Sequence, residues 1–423
     1  MTSRHLDDLL RERAGFSEAE RLRARAVAAV FPFRTNEYVV DELIDWSAVP
    51  DDPIYRLTFP QAGMLASADL VRMERLIGQG ADAGAIQMAA NEVRHRLNPH
   101  PAGQTDENVP EIDGRRLFGL QHKYAETLLV FPRQGQTCHA YCTYCFRWPQ
   151  FVGMPELKIA TDDVAGMVEY LSKHPEVTSI LITGGDALIM QTGVVRRYVE
   201  PLLSIDSVES IRFGTKALSY WPYRLLTDPD ADDLLALFEQ VVASGRQMAV
   251  MAHFSHPREV ETAAVRQAIG RITRTGAVIR AQAPLIRGVN DSAQAWSTMW
   301  RELTKLGVIP YYMFVERDTG PQNFFAVPLA EAYTLYRDAF AQVSGLGRTV
   351  RGPVMSATPG KVCVDGVTTI GDERVFVLRM LQARNPDLVG RPFFAQYDPA
   401  AIWLTDLKPA LGRSALLPDP VAE

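Results

Sequence analysis

From about residue 116 onward, short apolar β-branched runs alternate with longer amphipathic stretches. The runs fall at 127–132, 178–183, 210–214, 248–254, 277–283 and 308–314. Between them, segments such as 162–173, 194–203, 231–243 and 261–275 space their apolar residues as one face of a helix. Strands alternating with helices predict parallel βαβ units, and near-continuous apolar runs suit strands covered on both faces. Six repeats rather than eight predict an α/β fold built on an open, partial (β/α)6 TIM-like barrel. In such a barrel the loops at the strands' C-terminal ends carry the chemistry.

The flanks read differently. Residues 1–50 are largely helical, with Ser17 as an N-cap ahead of Glu18-Ala-Glu20 and an Ala/Arg/Leu-rich stretch running to Val30. An extended Asp51-Asp-Pro-Ile-Tyr55 segment leads to a second helical stretch over 67–97. Residues 98–116 read as a loop or linker, and 346–423 as a Gly/Pro-punctuated extension of unassigned order. The division expected is an N-terminal helical region (1–115), the partial barrel (116–345) and a C-terminal extension (346–423).

Composition narrows the function classes. At 423 residues the chain can bury a sizeable core. A net charge of −6 gives no reason to expect nucleic acid or an anionic membrane as partner. No apolar run approaches the roughly 20 residues that span a bilayer. The first residues lack the basic-then-apolar order of a signal peptide, so a cytoplasmic location is expected.

The candidate chemistry is concentrated in Cys138-His-Ala-Tyr-Cys142-Thr-Tyr-Cys145, a C-x3-C-x2-C loop following the first strand. Three thiolates this close can take three corners of a cubane iron–sulfur cluster, which is normally held by four cysteines. The remaining cysteine, Cys363, is isolated. A structural zinc site would want four ligands in paired elements, and four cysteines in 423 residues make no disulfide scaffold. After the second strand, Gly184-Gly185-Asp186 lets backbone approach a ligand closely and offers a carboxylate to an ammonium group, or serves as a tight strand–helix turn.

The cysteine loop, with Tyr144 before its last cysteine, resembles the radical S-adenosylmethionine (SAM) superfamily. The resemblance implies a [4Fe–4S] cluster on Cys138, Cys142 and Cys145, whose open iron takes the amino and carboxylate groups of SAM. One electron, from a donor such as flavodoxin or ferredoxin, then yields a 5′-deoxyadenosyl radical. It also assigns Gly184, Gly185 and Asp186 to the SAM amino group.

Further blocks resemble lysine 2,3-aminomutase and its relatives over about residues 50–380. They are Cys145-Phe-Arg147, Ile182-Thr-Gly-Gly-Asp-Ala-Leu188, His253-Phe-Ser-His256-Pro-Arg-Glu259, Leu285-Ile-Arg287-Gly-Val-Asn290-Asp291 and Pro310-Tyr-Tyr312. That family takes hydrogen from an amino acid held as an aldimine on pyridoxal phosphate (PLP), and its amino group migrates. The likeness makes Arg147 the grip on the substrate carboxylate, against the plain reading of a solvated loop arginine. His253, Gln282 and Arg287 fall where the family approaches SAM, though His253 also reads as a satisfied core histidine. Lys216 stands in place of a phosphate-side arginine. His256-Pro257 reads as a helix entry and Asn290-Asp291 as a capping turn.

The departures bear on the reaction. Pro353-Val-Met355 matches the family, but Val350-Arg351-Gly352 precedes it, without the glycine run and the PLP lysine. Arginine stays protonated and forms no Schiff base. Lys361 could substitute but is read as a surface lysine after a turn. The next phosphate-side arginine position reads Thr127, and an acidic position that would hold a lysine ε-ammonium reads Arg317. The family's C-terminal zinc-binding cysteines are missing.

The favoured reading is a radical SAM enzyme that abstracts hydrogen from a small, carboxylate-bearing, amino acid-like substrate without PLP. Beside it stand a PLP-dependent 2,3-aminomutase acting on another amino acid, and a non-catalytic metal-binding module. A small molecule is the expected partner, nucleic acid and membrane are not, and a homo-oligomer is compatible.

Overall fold

A computed structural model describes residues 1–99, 107–154 and 157–417. Part of the 98–116 linker, residues 100–106, lies outside the described residues. A short hairpin, β1 (Glu111–Ile112) and β2 (Arg115–Arg116), precedes the main sheet. That sheet runs β3 (Leu120–Tyr124), β4 (Thr127–Val130), β5 (Ser179–Ile182), β6 (Ser210–Thr215), β7 (Gln247–His253), β8 (Val278–Leu285) and β9 (Ile309–Val315). It continues through β10 (Arg351–Ser356), β11 (Gly360–Ile370), β12 (Glu373–Ala383) and β13 (Pro392–Gln396), in that spatial order.

The six strands expected from apolar runs are β4 to β9, and each pairs in parallel with the next. Intervening helices include Val164–Lys173, Thr192–Val199, Ala231–Ala243 and Ala263–Arg274. Residues such as Ile180, Ile182, Ile211, Phe213 and Val250 are fully buried beneath them, while on the other face Leu181, Arg212 and Met251 line a cavity.

The C-terminal segment is where the structure goes furthest beyond expectation. β10 adds a seventh parallel strand to β9, and β11 to β13 extend the same sheet antiparallel. This end then meets the opposite edge. Lys123 on β3 donates to the carbonyl of Ala357 at 2.6 Å, Gln382 on β12 to Glu126 at 2.5 Å, and Arg384 to Asn108 at 2.6 Å. The extension closes the gap that six strands leave open.

The N-terminal half corrects two expectations. Asp51–Tyr55 is not extended: Pro53–Thr58 is a helix, with Asp52 accepting from the N–H groups of Ile54 and Tyr55 and proline at its first position. The stretch 67–97 is two helices, Ser67–Gly78 and Ala83–Leu97. Gly80 at φ 66° turns the chain, and the Asp82 side chain accepts from Ala85 N to start the second. Ser17 caps as expected, in a reciprocal box with Glu20. Among the described residues no helix is long and apolar enough to cross a membrane.

Candidate active site

A cavity of about 580 Å³ opens at the C-terminal ends of β4 to β9, within the range of small-molecule sites. Cys138, Cys142, Cys145, Tyr144, Arg147, Gly184, Gly185, Asp186, Lys216, His253 and Gln282 all line it. Arg287 does not. It lies on the loop after β8, where its Nε donates to Ala326 and its guanidinium faces Glu331. The spacing that placed it near SAM tracks the loop, but the side chain turns outward.

The N-terminal helical region holds the cysteine loop in place. Arg34 donates to Thr137 Oγ1 (2.8 Å) and to the Cys138 carbonyl (3.2 Å), and its own carbonyl accepts from Tyr141 N. Asn36 donates to the His139 carbonyl, while Thr143 is tied to Leu57 and Arg56 carbonyls. Burial pushes all three cysteine thiols up, Cys145 to about 12, so loading metal must release protons. No group of three or more His, Cys, Asp or Glu among the described residues could share one metal ion. A cubane asks for something else, one thiolate at each of three iron corners. The donor set fits that demand.

The glycines after β5 have a structural reason. Gly184 has φ +151°, and a Cβ there would sit 2.4 Å from the Gln136 amide nitrogen; one on Gly185 would sit 2.4 Å from the Thr137 carbonyl oxygen. They let the turn leading into the cysteine loop press against the strand end. Asp186 carries three local bonds: Oδ1 accepts from Leu188 N (2.9 Å) and Thr215 Oγ1 (2.6 Å), and Oδ2 from Lys216 N (2.8 Å). Its carboxylate is largely committed to joining β5 to β6.

Lys216 is also occupied. Its ammonium donates to Glu259 at 2.6 Å, stands 4.2 Å from the Tyr220 ring centre, and lies beside Ser255. Glu259, fully buried, also accepts from Ser255 N and His256 N. Ser255 Oγ meets Tyr144 Oη at 2.9 Å, and the Cys142 thiol points at Tyr220 Oη, 4.0 Å away. This buried network braces the cysteine loop from below. The Gln282 amide meets His253 Nε2 at 2.9 Å. Burial, with Lys216 and Arg147 nearby, lowers His253 to about 3, so it is neutral at ordinary pH.

The far side of the cavity is cationic. Arg147 lies over the Phe131 and Phe146 rings (4.5 and 5.0 Å), Arg317 stacks on Phe146 at 5.1 Å, and burial lowers both guanidinium pKa values. Arg147 makes no ion pair with any described residue. Arg212 Nε, Arg317 Nε and Glu316 Oε1 are buried without hydrogen-bond partners, a costly state unless a ligand completes them. Burial pushes the Glu316 carboxyl well up.

Lys361 overturns an expectation. It is not a surface lysine: it lines this cavity, with its ammonium 4.9 Å from the Tyr312 ring centre and hydrogen-bonded to Gln382 Oε1 at 2.7 Å. A register shift between Lys361 and Val362 breaks the strand's alternation, so Val362, Cys363 and Val364 are all buried. Arg351 stacks instead on Tyr311 and Tyr312 at 4.4 and 4.5 Å. Arg34, Arg212, Glu316 and Gln382 were not singled out from sequence, and Glu259 entered only as the end of a matching block. Arg34, Glu259 and Gln382 each bond a residue distant along the chain, and Arg212 and Glu316 matter through atoms left unpartnered.

No family model matches the chain. A protein of Aquifex aeolicus named "Putative L-lysine 2,3-aminomutase" is 33% identical over 390 residues, covering 92% of this chain and 91% of its own length. The L-lysine 2,3-aminomutase of Escherichia coli is 26% identical, covering 80% and 85%; that of Fusobacterium nucleatum is 29% identical, covering 64% and 60%. A solved radical SAM methyltransferase from Sphaerobacter thermophilus reaches a TM-score of 0.39 at 17% identity, over 68% of this chain and 94% of that one. That last likeness is too slight to carry weight. The sequence relatives settle the class: the chain is a radical SAM enzyme. Within that class it belongs to the lysine 2,3-aminomutase-like family, which implies a [4Fe–4S] cluster, SAM, a small-molecule substrate and a reductant.

Proposed function

We propose that Cys138, Cys142 and Cys145 hold the cluster, and that the cavity beside them binds a small, carboxylate-bearing, amino acid-like substrate from which hydrogen is abstracted. The observation that carries this reading is the meeting, in one cavity, of the three-cysteine loop with the unpaired cations Arg147 and Arg212. When bound, the cluster and SAM supply the 5′-deoxyadenosyl radical. The protein's part is positioning. Arg147 offers a planar, bidentate surface to a carboxylate, and its aromatic bed fixes that plane. Glu316, its carboxyl pushed up by burial and its Oε1 without a partner, is a further polar contact for the substrate in the cavity. Closure by β10 to β12 shields the reacting atoms from water.

The Gly184-Gly185-Asp186 turn is the proposed platform for SAM, acting through backbone shape, since the Asp186 carboxylate is mostly occupied. The test is direct. Alanine at any of the three loop cysteines should remove most iron and sulfide and abolish 5′-deoxyadenosine formation, whereas Cys363→Ala should leave both. Loss of the cluster in the Cys363 variant would refute the assignment.

A second reading, PLP-dependent amino migration on a substrate other than lysine, is favoured by one observation. The case for a PLP-free site leaned on a solvent-facing Lys361, and Lys361 faces the cavity. Lys361 and the orphaned donor of Arg212 fit a carbonyl compound that also carries an anion.

A further inference from the structure

The chain is sparing with lysine. Of its 44 basic residues only seven are lysines, and three of these, Lys123, Lys216 and Lys361, line the cavity. Lys216 is paired with the Glu259 carboxylate, and Lys123 reaches across the sheet edges to the Ala357 carbonyl. Lys361 makes no ion pair with any described residue. Its partner is a neutral amide that sits between it and the nearest carboxylate: Gln382 Oε1 accepts from Lys361 Nζ, while Gln382 Nε2 donates to Glu126 at 2.5 Å. A lysine meant as a charged strut would be set against the acid itself.

We propose that Lys361 is a carbonyl-capturing residue, its ε-amine condensing with the aldehyde or ketone carbon of an anionic ligand bound in the cavity. Nitrogen forms a C=N bond, the carbonyl oxygen leaves as water, and no oxidant or reductant is consumed. Burial first, then Arg212, Arg351 and Lys123, lowers the Lys361 ammonium to about 7, so much of it is neutral and nucleophilic near neutral pH. Arg212 Nε, buried and unpartnered, is placed for the ligand's carboxylate or phosphate. The assignment moves the imine-forming position from residue 351, where arginine cannot serve, to residue 361. It rests on the cavity reading above, but its test needs no turnover.

The experiment uses full-length protein with its cluster reconstituted. One sample receives PLP and another pyruvate, each is reduced with borohydride, and modified peptides are mapped. A reduced adduct concentrated on Lys361 is expected. With PLP it identifies the carbonyl as a cofactor's; with pyruvate alone, as that of an oxo-acid substrate. No adduct on Lys361 with either probe, or labelling centred on Lys123 or scattered over surface lysines, overturns the proposal. Gln382→Glu should place a carboxylate on the amine and slow labelling at pH 7 by about tenfold while leaving iron content unchanged; an unaltered rate would also count against it. Because cluster loading and SAM cleavage are read separately, failure here leaves the proposed function standing, and the reverse holds too.

Discussion

Replacing Glu259 with glutamine should cost far more than an isosteric change at the surface would. The side chain is fully buried and accepts from Lys216 Nζ at 2.6 Å and from the backbone N–H groups of Ser255 and His256. The substitution leaves the Lys216 ammonium, only 11% exposed, without a counter-charge. Breaking a buried pair from one side costs about 3–5 kcal/mol. The same network holds Ser255 against Tyr144 in the cysteine loop, so iron content should fall along with stability. The assay is urea unfolding of Glu259→Gln, Lys216→Met and the Lys216→Met/Glu259→Gln double variant, with iron measured on each. In the double variant the stranded ammonium is gone and the glutamine oxygen still accepts from the Ser255 and His256 N–H groups, so it should regain most of the stability lost by Glu259→Gln. A Glu259→Gln loss below about 1 kcal/mol, or a double variant as unstable as the two single losses combined, would refute the reasoning.

Asp186→Asn puts an amide nitrogen where one of three donors now points, and should destabilise by about 1–3 kcal/mol; weaker SAM binding in calorimetry at unchanged stability would show that the carboxylate serves the ligand instead. Arg34→Ala removes two bonds to the cysteine loop and should lower iron and sulfide per chain after reconstitution, with little change in global unfolding. His253 is neutral in the fold, with its pKa near 3 against about 6.5 when unfolded. Its stabilising contribution is therefore complete above about pH 6.5 and is lost as pH falls towards 3. Relative to His253→Gln, the natural protein should lose up to about 1.4 kcal/mol of stability per pH unit across that window, and equal slopes in acid unfolding curves would contradict this.

What was legible in the sequence was the part governed by local pattern. The apolar runs became β4 to β9 almost residue for residue because each carries a row of side chains buried beneath the helices. The cysteine loop was legible for a similar reason, since its spacing carries its chemistry. β10 stayed unassigned because Gly352 and Pro353 interrupt its apolar run, and only the neighbouring β9 makes it a strand. Lys361 was misplaced because a lysine after a turn reads as solvated, and its partner Gln382 comes from the next strand. The bonds of Asp186 to Thr215 and Lys216 were not legible, because those residues arrive about thirty residues later at the end of β6. Arg34 gave no sign of gripping Cys138, more than a hundred residues on.

The central claim is that Cys138, Cys142 and Cys145 hold a cluster with one iron left for SAM. Mössbauer spectroscopy of protein reconstituted with ⁵⁷Fe, before and after SAM is added, tests it most directly. One iron site should be distinct from the other three and should shift alone when SAM binds. Four equivalent sites indifferent to SAM, or a distinct site that disappears in Cys363→Ala, would contradict the account.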